Sequence, residues 1–387
     1  MPTTEKRNVV KDGIAFTGKS WSYVLRVPDP KTGKTKVKWV GGFDSRKSAK
    51  LARDKARVAI ANRDYVSAEK VTLGEFLEKW LVIHSKSLKP TTADRYADLV
   101  RAYIIPQLGG ITLQALRPSH IQQFYTDLLT NPARSGKPLS NRTVHYAGSI
   151  LRKALKFAVD IDGLLSTNPA TKVPLPNDDP PVLMPWSLQE LKDFLQVAKT
   201  HRLFFFFWLS AFTGARRGEL LALRWSDYDG NYITITKSRT KAGNKIVELA
   251  TTKGGNNGQR RVKLDPATVE QFTAHRKRQI AERLALGELW VETGYVFVQE
   301  SGLPLYPNTP STLFRKLIKI AGFRPTRVHD LRHLHATELL EQGEQLHVVA
   351  ERLGHRDAMV TATRYAHVTS RQAETASNRF ADAFLNA

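Results

Sequence analysis

Between residues 70 and 168 the chain repeats apolar positions every three or four residues, the period of a helix with one buried face. Leu73, Phe76, Leu77, Trp80 and Leu81 form the first such stripe, and Thr72 with Glu75 three positions later predicts a capping box at its start. The period returns over 91–103, 117–129 and 140–161. In the last of these Val144, Leu151, Leu155 and Ala158 point inward, while Arg142, Arg152, Lys153 and Lys156 make a basic face. That face suits a DNA duplex, and a merely solvated surface is the competing reading for any single helix.

Before this helical stretch the pattern is different. Residues 21–27 and 36–40 are rich in β-formers and flank Pro28 to Thr35, which carries turn residues, so they predict a hairpin. Ser45 then opens a helix to about Asn62, with Ala49, Ala52, Ala56 and Ala59 on one stripe. Residues 1–70 carry 17 Lys and Arg against 7 Asp and Glu, and Lys36 and Lys38 place charge on the second strand. A basic sheet of this kind either reads DNA or caps the next domain.

Six prolines between 169 and 185 predict an extended linker. Ser187 and Glu190 then form a second capping box, and Leu203 to Leu209 is apolar enough for a buried helix. Residues 232–236, 245–249 and 260–264 read as strands, the last preceded by a Gly254 to Gly258 turn. The remainder is mostly helical and ends in a tail, 372–387, with Ala373, Ala376, Phe380 and Phe384 at helical spacing. The expected architecture is multidomain, mainly α with small β-sheets: a hairpin-plus-helix module (1–66), a helical domain (70–168), the linker (169–185) and an α+β domain (186–387).

Charge narrows the function. A net charge of +23 over 387 residues points to a polyanionic partner, nucleic acid first. Zero cysteines exclude disulfides and thiolate metal sites. The first ten residues have no signal-like apolar core, and the longest apolar run is too short to cross a bilayer. Cytoplasmic placement in a bacterial host, on the nucleoid and away from the membrane, is the expectation.

Four short segments carry candidate chemistry: Thr213 to Leu220, His329-Asp330-Leu331-Arg332-His333, Leu353-Gly354-His355, and Arg364-Tyr365-Ala366-His367. Cleaving a phosphodiester without metal needs a nucleophile, donors for the non-bridging oxygens, and an acid and a base. Arginine binds two phosphate oxygens with its planar fork and never loses its proton. Histidine and lysine move protons, and tyrosine forms a phosphoester that keeps the bond's energy. His329 and His333, with His335 nearby, also have metal-ligand spacing, but no glutamate completes a His-Glu-x-x-His pattern. Gly214 and Gly218 lack the Lys-Ser/Thr of a phosphate-binding loop, so ATP is not implied. Tyr295 and Tyr306 read as packing residues near strands, and Arg217 as a surface charge or salt-bridge partner.

In these segments the chain resembles the tyrosine recombinases, specifically phage-type integrases, along essentially its whole length. The resemblance implies that Arg216 and Arg332 clamp the scissile phosphate, Tyr365 attacks it, His329 assists proton transfer and His355 hydrogen-bonds the phosphate. It implies a hairpin lysine as the acid, for which Lys253 is the match and Lys241 and Lys245 are the alternatives. Glu219 would orient the arginines, and His333 would support the site. Residues 1–66 would bind arm-type DNA and 70–168 core-type DNA. Implied partners are double-stranded DNA with both kinds of attachment site, a homotetramer on that DNA, a host DNA-bending protein and an excision directionality factor. Neither cofactor nor metal is implied. The tail after Tyr365 would dock on a neighbouring subunit. A topoisomerase or resolvase with the same chemistry, or a non-catalytic DNA-binding regulator, are the other readings.

Overall fold

The computed structural model describes residues 8–10, 12–28, 35–61, 71–133, 136–178, 186–249, 259–355, 359, 362 and 385. Two compact units divide between Pro180 and Pro181.

The first unit begins with four antiparallel strands in sequence order: β1 (Asn8–Val10), β2 (Ile14–Phe16), β3 (Trp21–Pro28) and β4 (Thr35–Phe43). The expected hairpin is the β3–β4 pair, with Val24 opposite Trp39 and Leu25 opposite Lys38. The two extra strands escaped the sequence reading because each is only three residues long, too short for a visible period. Helix α1 (Arg46–Ala61) packs on the sheet, with Ile14, Tyr23, Leu25 and Ala49 as their shared core.

The helical domain has its own core. Helix α2 (Leu73–Ser85) starts at the expected box: Glu75 N–H donates to Thr72 Oγ1 at 3.2 Å, and Thr72 N–H donates to Glu75 Oε2 at 2.9 Å. Helix α3 (Pro90–Leu99) runs through a π turn over Val100–Ile104 into α4 (Ile105–Leu108). Pro106 explains the irregularity, since it has no N–H for the helical ladder and its ring displaces the preceding turn. Helices α5 (Pro118–Thr130) and α6 (Asn141–Asp160) complete the bundle around Trp80, Phe124, Tyr125 and Leu151.

The expected linker is shorter than the prolines suggest. Residues Pro169–Lys172 form a 3-10 turn, capped when Ala170 N–H donates to Asn168 Oδ1 at 2.9 Å. Ala170 and Val173 are buried in the bundle core, and Leu175 packs against it. Proline removes donors here but leaves the apolar side chains between them free to pack.

The second unit starts at α7 (Leu188–Ala198), again behind a capping box, formed by Ser187 and Glu190. Helix α8 (Phe204–Thr213) is apolar nearly all round and buried accordingly. Helix α9 (Arg217–Ala222) follows, then β5 (Tyr232–Ile235), β6 (Ser238–Ala242), β7 (Lys245–Leu249) and β8 (Arg260–Lys263). Strand β6 is an addition to the expected three. Strand β7 pairs with β6, and β8 pairs with β5. The tight turn at Gly243-Asn244 decides this, since a two-residue turn closes a hairpin at less entropic cost than a longer segment. Helices α10 (Pro266–Leu286), α11 (Thr309–Ala321), α12 (Val328–Glu341) and α13 (Leu346–Leu353) complete the unit. Its core is an aromatic cluster in which Phe194 meets Phe314 edge-on at 4.7 Å and Phe205 meets Phe272 at 4.7 Å. Helix α12 packs on both α8 and α13, through Leu331 and Leu334 on one side and Ala336 and Leu340 on the other. This packing brings the ends of α8, α9, α12 and α13 together.

Candidate active site

Arg216, Glu219, His329, Arg332 and His355 line one cavity of about 930 Å³ in the second unit, although 139 positions separate the first from the last. Each is placed at or near a helix end. Helices α8 and α13 both stop at a left-handed glycine, Gly214 (φ +63°) and Gly354 (φ +66°). Such ends leave carbonyls without helical partners. Arg332, 3% exposed, donates to two of these carbonyls: Nη1 to Gly214 O and Nη2 to Leu353 O, both at 2.7 Å. The positive guanidinium also sits favourably at two negative helix termini.

Arg216 stands at the start of α9. Its Nη1 donates to Glu219 Oε1 at 2.8 Å, its Nη2 to Gly354 O at 3.3 Å, and its N–H to Glu219 Oε2 at 2.8 Å. Glu219 is 2% exposed and takes a second arginine: Arg260 Nη2 donates to Oε2 at 2.8 Å. Burial pushes the Glu219 carboxyl up, but Arg260 and Arg216 outweigh it and hold the group below the ordinary carboxylate range. Arg260 Nε also donates to Arg352 O at 2.7 Å, so one side chain joins β8, α9 and the end of α13. The sequence reading missed Arg260, because a basic pair on a strand looks like surface. Its spacing carries no signal, and only the buried carboxylate gives it a role.

Around this group lie further bonds. Arg352 Nε donates to His335 Nε2 at 3.1 Å and Nη2 to Phe212 O at 3.1 Å. Burial, with Arg352 next to it, pushes the His335 imidazole down to about 3. An imidazole that accepts a hydrogen bond from a cation is neutral, and His335 is engaged in this way. His333 meets His329 edge-on, ring centroids 5.0 Å apart. Among the described residues no group of three or more His, Asp or Glu side chains could hold a metal ion.

Several sequence expectations need correction. Arg152 is partly buried on α6, and its Nη2 donates to Val173 O at 2.8 Å, tying the 3-10 turn to α6. Arg142, Lys153 and Lys156 are exposed on α6; Lys153 lies 5.8 Å over the Tyr96 ring and Lys156 pairs with Asp160. Lys36 is exposed and Lys38 partly exposed on β4. Tyr295 is packed as expected, but Tyr306 is 41% exposed, with Lys241 5.8 Å over its ring. Arg217 is half-buried in the cavity wall instead of on the open surface. Lys241 and Lys245 flank the β6–β7 turn. Lys253, the Gly254 to Gly258 turn, Tyr365, Arg364, His367 and all but Leu385 of the tail lie outside the described residues.

Two expected results follow from this geometry. A Cβ at Gly354 would lie 2.7 Å from Arg260 Nη1, on a backbone that side chains rarely adopt. Gly354→Ala is therefore expected to destabilise by roughly 2 kcal/mol, read as a lower urea midpoint, and to slow DNA cleavage through Arg260. An unchanged midpoint would remove the strain argument. The second concerns pH. His275 is pushed down to about 4 by burial, and His335 to about 3. Both titrate near 6.5 when unfolded, so below that pH the unfolded chain binds more protons and stability falls as pH drops. Each histidine is expected to cost about 2 kcal/mol at pH 5 relative to pH 8. Urea unfolding across that range measures it, and His275→Gln should flatten the slope.

The geometry defines a basic, carboxylate-ordered pocket on an integrase-like fold, and comparison with known proteins agrees. Residues 185–372 match the phage integrase family, 72–129 its N-terminal SAM-like domain, and 14–58 an arm DNA-binding domain. The chain is 30% identical over 404 residues to a tyrosine recombinase XerC-like protein of Caldanaerobacter subterraneus subsp. tengcongensis, covering 98% of this chain and 100% of that one. The chain belongs to the tyrosine recombinases of the phage-integrase type, enzymes that break and rejoin DNA in site-specific recombination. It is also 30% identical over 243 residues to the ICEBs1 integrase of Bacillus subtilis, across 59% of this chain and 62% of that protein. Its fold is similar to the Tn1549 transposon integrase in complex with a circular intermediate DNA (TM-score 0.66, 18% identity, 80% of this chain and 99% of that one). It is likewise similar to a lambda integrase tetramer bound to a Holliday junction (TM-score 0.57, 19% identity, 93% and 96%). Among the described residues no helix is long and apolar enough to cross a membrane.

Proposed function

We propose that this chain integrates and excises a phage or other mobile element through a 3′-phosphotyrosyl intermediate. The convergence of Arg216, Arg332, His329 and His355 on one cavity, in which the Glu219 carboxylate is already held by two arginines, carries the reading. Its surplus of guanidinium groups attracts an anion, and their planar forks match the oxygens of a phosphate diester.

Arg216 and Arg332 hold the non-bridging oxygens of the scissile phosphate, and His355 adds a hydrogen bond. Tyr365 Oη attacks phosphorus, with His329 taking part in the transfer of its proton. The bond from phosphorus to the 5′-oxygen breaks, and that oxygen leaves with a proton from Lys253. The 5′-hydroxyl of a second duplex then attacks the phosphotyrosine and releases Tyr365, so no bond energy is lost. Positioned arginines supply the charge that a metal ion would otherwise provide. Glu219 and His333 keep the reacting groups in place.

Residues 1–66 serve arm-type sites and 70–168 core-type sites, with catalysis in 186–387. The working assembly is a homotetramer on two DNA duplexes, helped by a host DNA-bending protein and an excision directionality factor. It acts in the cytoplasm of a bacterial host, on the nucleoid. DNA-bound dimers and a tetramer among proteins of this fold support the assembly.

The test is to trap the intermediate on nicked, end-labelled DNA spanning the junction of the chain's own element, with a chelator present. A 3′-phosphate on Tyr365 is the expected product. Binding without any adduct would favour the regulator reading.

A further inference from the structure

Among the described residues six arginines line the cavity, more than one phosphate needs. Four are engaged: Arg216 by Glu219, Arg332 by two helix-end carbonyls, Arg327 by Asp330 at 2.8 Å, and Arg239 over the Tyr295 ring at 5.2 Å. Arg217 and Arg315 remain, and among the described residues neither has a carboxylate partner. Arg217 Nη1 donates to Ser311 Oγ at 2.7 Å, and Arg315 Nε donates to Ser311 O at 3.3 Å. Ser311 and Arg315 stand four residues apart on α11, one turn along the same face, while Arg217 comes from the start of α9.

Arg217 is half-buried, and among the described residues its hydrogen-bond partner is a hydroxyl. Taking a guanidinium partly out of water without a counter-charge is costly, and an anion in the cavity would offset that cost. Carboxylate neutralisation would be the ordinary solution in a structural site, and none of the described residues supplies it.

We propose that Arg217, Ser311 and Arg315 form a second phosphate seat in this cavity, occupied by a DNA phosphate close to the one that is cut. The seat rests on the recombinase reading given above. It fixes the register of the strand, so that the scissile phosphate and no neighbour meets Arg216 and Arg332. Ser311 holds the Arg217 fork in its bound orientation before DNA arrives, which lowers the entropic cost of the contact.

The experiment pairs protein and DNA changes. Full-length protein is given nicked junction DNA in which single phosphates around the cut are replaced, one at a time, by uncharged methylphosphonates. Cleavage rate and affinity are measured for wild type, R217Q and R315Q. In wild type, one position other than the scissile phosphate should lose roughly ten- to hundredfold on neutralisation, the worth of a charge-assisted contact. R217Q should lose a similar factor on unmodified DNA and then lose much less than wild type on neutralisation at that one position, because the larger of the two contacts is already gone. R315Q, altered at an exposed side chain, should show a smaller loss at the same position.

If R217Q is slower yet pays the wild-type cost at every methylphosphonate, Arg217 is only a strut between α9 and α11 and the seat does not exist. Equal behaviour of all three proteins overturns it as well. Should R217Q fail to fold, R217K and R315Q decide the matter on the same DNA series, since a strut gives no position-specific change in either. A wild type that binds but never cleaves would instead overturn the recombinase reading, and the seat with it.

Discussion

Tyr365→Phe is expected to abolish covalent adduct formation and recombination while leaving DNA binding within about twofold of wild type. Phenylalanine keeps the aromatic ring of tyrosine, and only the attacking oxygen is lost. In the proposed mechanism Tyr365 alone forms the 3′-phosphoester, and loss of a nucleophile removes the whole covalent route. The rate should fall by on the order of 10⁴-fold or more. A gel-resolved adduct assay on nicked DNA measures it, with binding followed separately by mobility shift. Residual adduct would mean that another residue attacks, and Tyr306, exposed and beside Lys241, would be examined next. A variant that retains full recombination would exclude the proposed mechanism. A chain that acts only as a regulator would show no difference between the two proteins.

Glu219→Gln is expected to damage both the fold and the reaction. The carboxylate is buried between Arg216 and Arg260, and removing its charge leaves two guanidinium groups facing each other without compensation. Breaking a buried ion pair in this way typically costs about 3 kcal/mol or more. Arg216 is then free to move off the Gly354 carbonyl, and a displacement of an ångström in a phosphate-binding group costs about 100-fold in rate. The expected result is a lower urea midpoint, cleavage slowed roughly 100-fold, and DNA affinity reduced much less. The acid limb of stability should change too. Glu219 titrates below its ordinary range in the folded protein, so its contribution is complete above the unfolded carboxylate pKa and is lost as pH falls through the folded value. Glu219→Gln should remove that part of the acid sensitivity. Unaltered cleavage in a stable Glu219→Gln protein would show that Arg216 is held by its other contacts alone.

Local signals in the chain predicted local structure well. Thr72 with Glu75 and Ser187 with Glu190 form the capping boxes read from their spacing, because both partners lie within one turn. The apolar stripe of α6 faces the bundle core at Val144, Leu151, Leu155 and Ala158. Four short segments were also enough to recognise the recombinase family, since each carries chemistry that few other patterns combine. Less visible were elements too short for a period, namely β1, β2 and β6, and the pairing of β5 with β8 across an intervening hairpin.

Side-chain partners were the least legible feature. Arg152 and Arg260 look alike in sequence, each basic beside another basic residue, yet one ties a proline-rich turn to α6 and the other locks a buried carboxylate. Arg217 looks like a surface charge and lines the cavity.

The sequence by itself determined the helical framework and the residue types available for catalysis, because these depend on periodicity, capping and composition within a few residues, and it pointed to the class of enzyme through the resemblance of four short segments. The tertiary structure alone decided which arginines line the cavity and which helix ends and carboxylates hold them there. The physical reason is distance along the chain: Arg216 meets Gly354, and Arg332 meets Gly214, across more than a hundred residues. Such partners are chosen by how α8, α12 and α13 pack, and no local pattern encodes that choice.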